Sequence, residues 1–209
     1  SRSGRALGGY KDEGRVMPTD KKNPKLFKGP DRLPGDPSKE EYVERLIRVD
    51  HAGEYGAVRI YEGQLAVLRK KPSAPVVEHM LEQEKEHLAT FDRLISERRV
   101  RPTALMPLWH VAGFALGAAT AMMGEKAAMA CTVGVEEAID EHYQSQIEAL
   151  EPYGDEANLR KTCVKFREEE LEHRDTGLDH GAKQAPGYEV LTGAIKAGSK
   201  LAIWLSKRI

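Results

Sequence analysis

The sequence predicts an all-α protein, on three observations. Ala, Leu, Glu and Lys are plentiful, while aromatic residues make up only 6 % of the 209 positions. That mix suits helices over strands. No run of residues reads convincingly as a strand. And two separate stretches repeat one pattern of Glu, Tyr and His at helical spacing.

The chain is long enough for one ordinary domain with a full core. Its net charge of −1 creates no global field that favours nucleic acid or acidic partners. Cys131 and Cys163 have no zinc or CxxC spacing and are too few for a disulfide framework. They read as small core residues of a protein in a reducing compartment. No glycine fingerprint for a dinucleotide and no phosphate loop follows a strand.

Residues 1–39 read as a basic, Pro- and Gly-rich tail. It carries Pro18, Pro24, Pro30, Pro34 and Pro37 and few large apolar residues. Such a segment cannot bury enough surface to offset its ordering entropy, so disorder is expected. A start at Ser1 without Met leaves two expectations open: an organelle-imported protein whose leader has been removed, or a start set in some other way.

Residues 40–209 form the expected folded domain. Ser38 suits an N-cap, with Glu40 and Glu41 in the first turn where carboxylates complement the macrodipole. Six helices follow, over roughly 39–70, 74–98, 103–123, 125–150, 156–181 and 187–207. Their breaks are Lys71-Pro72, Arg101-Pro102, Met123-Gly124, Pro152-Tyr153-Gly154 and Ala185-Pro186-Gly187.

The repeat carries the chemistry. In the first half, Glu54 is followed seven residues on by Tyr61, and then by Glu84-Lys85-Glu86-His87. In the second half, Glu136 is followed seven residues on by Tyr143, and then by Glu170-Leu171-Glu172-His173. Seven residues are close to two helical turns, so each Glu shares a face with its Tyr. Glu and His at i, i+3 also share a face and can address one metal ion. Each half thus supplies a lone Glu from one helix and a Glu-x-x-His from the next.

That set is the one used by ferritin-like di-iron bundles. The predicted fold is therefore a ferritin-like four-helix bundle, and the predicted metal ligands are Glu54, Glu84, His87, Glu136, Glu170 and His173. Carboxylates are hard anionic ligands that can bridge two ions, and imidazole completes each ion while leaving positions open for O₂. Four carboxylates nearly balance two ferrous ions, which limits the cost of burying charge. Manganese would accept the same donors. The flanks agree, because Glu54 sits among Ala52, Gly53, Gly56 and Ala57, and Glu136 follows the apolar run 130–135.

Glu137, Glu168, Glu169 and Glu172 are excluded as ligands by register. Asp50, His142, Asp175 and Asp179 read either as partners of the ligating imidazoles or as ordinary surface charges. Tyr61 and Tyr143 read either as hydrogen-bond partners of the site or as core residues. His79, His110 and His180 read as structural or exposed.

Two helix pairs related by a two-fold axis require a crossover, and the apolar segment 103–123 has the length for one, roughly 30 Å. Residues 104–123 contain no Asp, Glu, Lys or Arg, long enough for a membrane span. A span would put Glu84 and His87 on the opposite side of the bilayer from Glu136, so one shared site excludes it. Two readings remain: a helix covered by the bundle or a partner, or a helix lying in the membrane interface. The second is preferred. Trp109 and the C-terminal amphipathic helix with Ile195, Leu201, Ile203, Trp204 and Leu205, ending in Lys207-Arg208, suit a headgroup boundary.

Several segments together are similar to the 5-demethoxyubiquinone hydroxylase family. They are Arg48-Val49-Asp50-His51-Ala52-Gly53-Glu54-Tyr55-Gly56-Ala57, Glu84-Lys85-Glu86-His87, Arg101-Pro102-Thr103 with Met106-Pro107-Leu108-Trp109, Val135-Glu136-Glu137, and Glu169-Glu170-Leu171-Glu172-His173. The resemblance spans about residues 42–209, and all six ligand positions match. It implies a di-iron monooxygenase that hydroxylates the ring of demethoxyubiquinol with O₂ in ubiquinone biosynthesis. It implies NADH as reductant, a polyprenyl quinol substrate, and a lipid-binding accessory protein as partner. It also implies peripheral attachment to the matrix side of the mitochondrial inner membrane, or to the cytoplasmic membrane in bacteria. A homo-oligomer is compatible with it; nucleic acid is not expected. By the symmetry of the repeat, Glu84 and Glu170 are the expected bridging carboxylates, and Glu54 and Glu136 the terminal ones.

Two other readings share these ligands. An iron- or peroxide-handling ferritin-like protein would lack the exposed apolar helices. A prenyl-quinone-binding scaffold with a structural metal would not need the doubled ligand set.

Overall fold

A computed structural model describes residues 35–209. Most of the tail expected over 1–39 lies outside the described residues. The described residues are all-helical, with no strand: α1 (Lys39–Leu68), α2 (Ala74–Glu97), α3 (Met106–Met122), α4 (Glu125–Leu150), α5 (Ala157–Asp179) and α6 (Tyr188–Ser206). Short 3-10 turns at Gly154–Glu156 and Ala182–Gln184 precede α5 and α6.

Helix α1 starts where the sequence places it. The Glu41 N–H donates to Ser38 Oγ at 3.1 Å, and the Ser38 N–H donates to Glu41 Oε2 at 2.7 Å. This reciprocal box satisfies two backbone donors that the first turn leaves free. Helix α2 ends in a left-handed residue, Arg99 at φ 53°. The Val100 N–H then reaches back to the Ile95 oxygen, and the Val100 side chain is buried, the combination that closes many helix ends.

Helix α3 begins at Met106, three residues later than expected. Thr103 is held elsewhere, donating its hydroxyl to the Ile209 carbonyl at 2.7 Å. Pro107 then occupies the first turn, where its missing N–H costs nothing. The remaining helix is 17 residues, roughly 26 Å long.

Pairwise contacts give the helix directions. Along α1 and α4, Gln64 meets Ala128, Tyr61 meets Glu136, Glu54 meets Tyr143 and Asp50 meets His142, so the two run antiparallel. His51 meets Asp92 across the α1–α2 hairpin, and Asp140 meets Arg167 across α4–α5. Helix α3 runs parallel to α1: Gly113 lies against Gly56 and Arg59, and Gly117 against Ile60 and Gln64. It therefore carries the chain from the end of α2 back to the start of α4, the crossover that the sequence required. Helix α6 lies on α4, where Lys196 pairs with Glu137 at 2.9 Å and with Glu141 at 2.8 Å.

The α1–α3 contact is close because it lacks side chains. A Cβ added at Gly63 would strike the Phe114 carbonyl, and one at Gly117 the Ile60 carbonyl. Among the described residues, no helix is long and apolar enough to cross a membrane. Leu108 and Val111 on α3, and Val190, Leu201 and Trp204 on α6, nevertheless face outward.

Candidate metal centre

Four helices deliver the site. Glu54 comes from α1, Glu84 and His87 from α2, Glu136 from α4, and Glu170 and His173 from α5. Each of the six is at most 2 % exposed. Burying four carboxylates together is costly unless cations or hydrogen bonds compensate, so the arrangement calls for an explanation.

The six form two overlapping groups, each with donor atoms within 4.8 Å of one another. One is Glu54, Glu84, His87 and Glu170; the other is Glu84, Glu136, Glu170 and His173. Glu84 and Glu170 belong to both, as bridging carboxylates would. His87 Nδ1 lies 3.2 Å from Glu170 and 3.4 Å from Glu54. His173 Nδ1 lies 3.0 Å from Glu84 and 3.3 Å from Glu170.

Several of these atoms lack an aligned hydrogen-bond partner: Glu54 Oε2, both oxygens of Glu84, Glu136 Oε2, Glu170 Oε2 and His173 Nδ1. Unpaired buried polar atoms are rare in folded proteins. Here they converge on one small volume, and they are hard oxygens plus imidazole nitrogen, a donor set that fits divalent iron or manganese. The residues present therefore fit a two-metal site.

Electrostatics show the same strain without metal. Burial pushes the Glu54 carboxyl up to about 8 despite its contact with His87. Burial and the charges of Glu170 and Glu84 hold Glu136 well above the usual carboxylate range. Burial disfavours the His173 cation, but Glu170 and Glu84 outweigh it and pull the ring up to about 10. Glu170 is buried too, yet His173 and His87 hold it below the ordinary carboxylate range. In the metal-free site, protons on the imidazoles offset part of the negative charge.

The remaining oxygens of the two lone carboxylates are held crosswise. Tyr61 on α1 donates its hydroxyl to Glu136 Oε1 on α4 at 2.7 Å. Tyr143 on α4 donates to Glu54 Oε1 on α1. Of the two readings open for these tyrosines, the structure supports partners of the site. Burial raises both phenols well above their usual range, which keeps them as donors.

The outer partners of the imidazoles are not those the sequence suggested. His87 Nε2 meets Glu169 Oε2 at 2.7 Å, and His173 Nε2 meets Gln83 Oε1 at 3.0 Å. Asp50 instead pairs with His142 at 3.1 Å and Gln146 at 2.6 Å, and Asp175 with Arg174 at 2.7 Å. Glu169, which register sets outside the expected ligands, touches one of them, His87. Gln83 and Glu169 immediately precede Glu84 and Glu170 in the repeat, and that shared register was the signal available. His110 bonds Tyr55 at 2.6 Å, and His79 and His180 are exposed, all apart from the cluster. Cys131 and Cys163 are buried thiols.

Beside the cluster lies an apolar cavity of about 190 Å³ between α1, α3, α4 and α6. Gly53 and Ala57 of α1, Trp109 and Leu116 of α3, Val135 of α4 and Ile203 of α6 are among its lining residues. Gly53 and Val135 are the chain neighbours of Glu54 and Glu136, so the cavity sits against the helices that carry the lone carboxylates.

Known proteins share this chain at length. A protein from Rhodospirillum rubrum named 3-demethoxyubiquinol 3-hydroxylase is 63 % identical over 180 residues, covering 86 % of this chain and 84 % of its own. The human NADPH-dependent 3-demethoxyubiquinone 3-hydroxylase, mitochondrial, is 56 % identical over 169 residues, 80 % of this chain and 78 % of its own. The Saccharomyces cerevisiae 5-demethoxyubiquinone hydroxylase, mitochondrial, is 42 % identical over 183 residues, 80 % of this chain and 78 % of its own. The human name specifies NADPH, where the resemblance had implied NADH. The family model described as "Ubiquinone biosynthesis protein COQ7" matches residues 41–206, a stretch that takes in all six clustered residues, and the chain belongs to that family.

Proposed function

We propose that this chain is a hydroxylase of ubiquinone biosynthesis, adding one oxygen atom from O₂ to the ring of a demethoxyubiquinol at a ferritin-like di-iron centre. The observation that carries this reading is the pair of buried donor groups sharing Glu84 and Glu170. Glu54 and His87 would complete one iron position, and Glu136 and His173 the other. Bound iron would supply the activation of O₂ that no amino-acid side chain provides.

The chain's own residues do the rest. Tyr61 and Tyr143 each fix one oxygen of a lone carboxylate and leave the other facing the cluster. The apolar cavity takes the quinol, with the ring toward Gly53 and Val135 and the prenyl tail between α3 and α6. Small residues at Gly53, Gly56 and Gly198 leave room for it. Its apolar walls exclude water, which favours a prenylated ring over a polar phenol. The outward apolar faces of α3 and α6 rest in the membrane interface, from which such a substrate is drawn. The relatives named mitochondrial support the matrix face of the inner membrane; a bacterial protein would use its cytoplasmic membrane. Reduced nicotinamide is the reductant class, and a lipid-binding accessory protein and self-association are compatible with the exposed apolar faces.

The test is mass spectrometry after incubating iron-loaded protein with demethoxyubiquinol, a reductant and isotopically labelled O₂. The expected product is heavier by one labelled oxygen and absent in Glu170→Ala. No labelled product from a folded protein of confirmed iron content would overturn the hydroxylase and favour iron or peroxide handling.

A further inference from the structure

The two halves of the site supply the six clustered residues in matching sets but differ in what touches the outer nitrogen of each imidazole. Gln83 and Glu169 occupy the same place in the repeat, one residue before Glu84 and Glu170. Each reaches across the α2–α5 contact to the imidazole supplied by the other half. His87 Nε2 meets the Glu169 carboxylate at 2.7 Å, whereas His173 Nε2 meets the Gln83 amide oxygen at 3.0 Å. The geometry is repeated and the chemistry is not.

We infer that Glu169 and Gln83 are positioning residues that make the two metal positions unequal, the one at His87 binding more tightly. The inference rests on reading the cluster as a metal centre. Each outer oxygen takes the Nε2–H of its ring, so once Nδ1 gives up its proton its lone pair is left free for a metal ion held among the carboxylates. A carboxylate accepts that hydrogen bond with a full charge, and such bonds are shorter and roughly twice as strong as neutral ones. It therefore makes the ring facing it the stronger electron donor. The amide fixes the same ring orientation without adding charge.

Surroundings reinforce the difference. Lys165 Nζ lies 3.3 Å from Glu169 Oε1, but it is exposed and its screened charge leaves the other oxygen, at 2.7 Å, to serve the ring. The His87 ring is also stacked on Phe166, with centroids 4.0 Å apart. Glu54, Glu84 and Glu170 face its inner nitrogen. On the other side, Glu84 and Glu170 face the inner nitrogen of His173, while Gln83 and Glu169 are both partly buried. The inequality therefore lies in the outer shell rather than in the number of inner carboxylates, since each donor group holds three.

The experiment is a titration of metal-free full chain with Co²⁺, followed by the visible absorption of the bound ion and by calorimetry. The wild type is expected to bind two ions in two resolved steps. Glu169→Gln should weaken the tight step by about 10–100-fold, the usual effect of losing an outer partner, and leave the weak step in place. Gln83→Glu should do the opposite and tighten the weak step. Glu168→Gln removes the same charge from an exposed neighbour and should move neither step. Circular dichroism on each variant separates these effects from loss of fold, and a variant that unfolds on either substitution marks a structural role and overturns the assignment. Two equal steps in the wild type, or equal shifts in Glu168→Gln and Glu169→Gln, would overturn the inference while leaving the metal centre standing. No binding of Co²⁺ to folded protein would overturn the metal centre and the inference together.

Discussion

A buried carboxylate with one oxygen bonded and the other free depends on whatever holds the bonded one. Tyr143 holds Glu54 and Tyr61 holds Glu136. Tyr143→Phe leaves both Glu54 oxygens without a hydrogen-bond donor, at about 1–3 kcal/mol. The metal-free variant is expected to lose stability by that amount in urea, with a smaller loss once metal binds Glu54. The imidazoles give a second prediction. His173 titrates at about 10 when folded, against 6.5 when free, so its contribution is full below pH 6.5 and is lost as pH rises through 10. Glu54, raised from 4.5 to about 8, works in the same direction between those two values, where the folded state holds a proton that the unfolded state has lost. Metal-free protein should therefore melt at a progressively lower temperature from pH 6 to pH 10. Metal-loaded protein should resist this trend, since metal affinity grows as ligands lose their protons. At this scale, the six clustered residues were legible because Glu-x-x-His, and a lone Glu with Tyr seven residues on, are local spacings on one helix. Gln83 and Glu169 were not, because each serves a ring on another helix, and only packing shows which ring.

Helix boundaries were legible where a local device sets them, as with Ser38 and Glu41 or the Gly187 turn at φ 65°. They were less so where a distant group competes. Thr103 looked like the start of α3 and is instead tied to the carbonyl of Ile209, a partner no window of sequence contains. The crossover itself was foreseen from the repeat, but its tightness was not. Gly63 and Gly117 bring the α1 and α3 backbones into direct contact. Gly117→Ala puts a methyl group into the Ile60 carbonyl, and neither backbone can step aside alone. Its expected cost is about 1–3 kcal/mol, typical of overpacking, measurable as a lower urea midpoint. Gly198→Ala, on the cavity wall where an added Cβ meets nothing within 4 Å, is the matched control and should not lower it.

Across the whole molecule, polar chemistry is gathered inside α1, α2, α4 and α5, while α3 and α6 turn apolar side chains outward. Trp109 donates its indole N–H to Ser206 at 3.0 Å, joining the start of α3 to the end of α6 beside the cavity. Exposed Leu108, Val111, Leu201 and Trp204 belong to these two helices. Val111→Glu combined with Trp204→Glu should weaken sedimentation with vesicles of mixed zwitterionic and anionic phospholipid by about tenfold or more. Each large apolar side chain buried in lipid is worth about 1.5–3 kcal/mol, and about 1.4 kcal/mol is tenfold. Metal content should be unchanged, because neither residue approaches the cluster. The apolar face was legible as an absence of charge over 104–123; the cavity behind it was not, since four helices contribute to it.

The near-symmetry of the site has a consequence for ancestry. A single α-hairpin that dimerised with itself would be isologous, placing the same residue at matching positions of both copies. Any change improving one metal position would then appear at the other as well. A chain carrying both hairpins is free of that obligation. Gln83 opposite Glu169 is a difference that two identical hairpins could not hold, so a single chain carrying both leaves each half of the site open to separate selection.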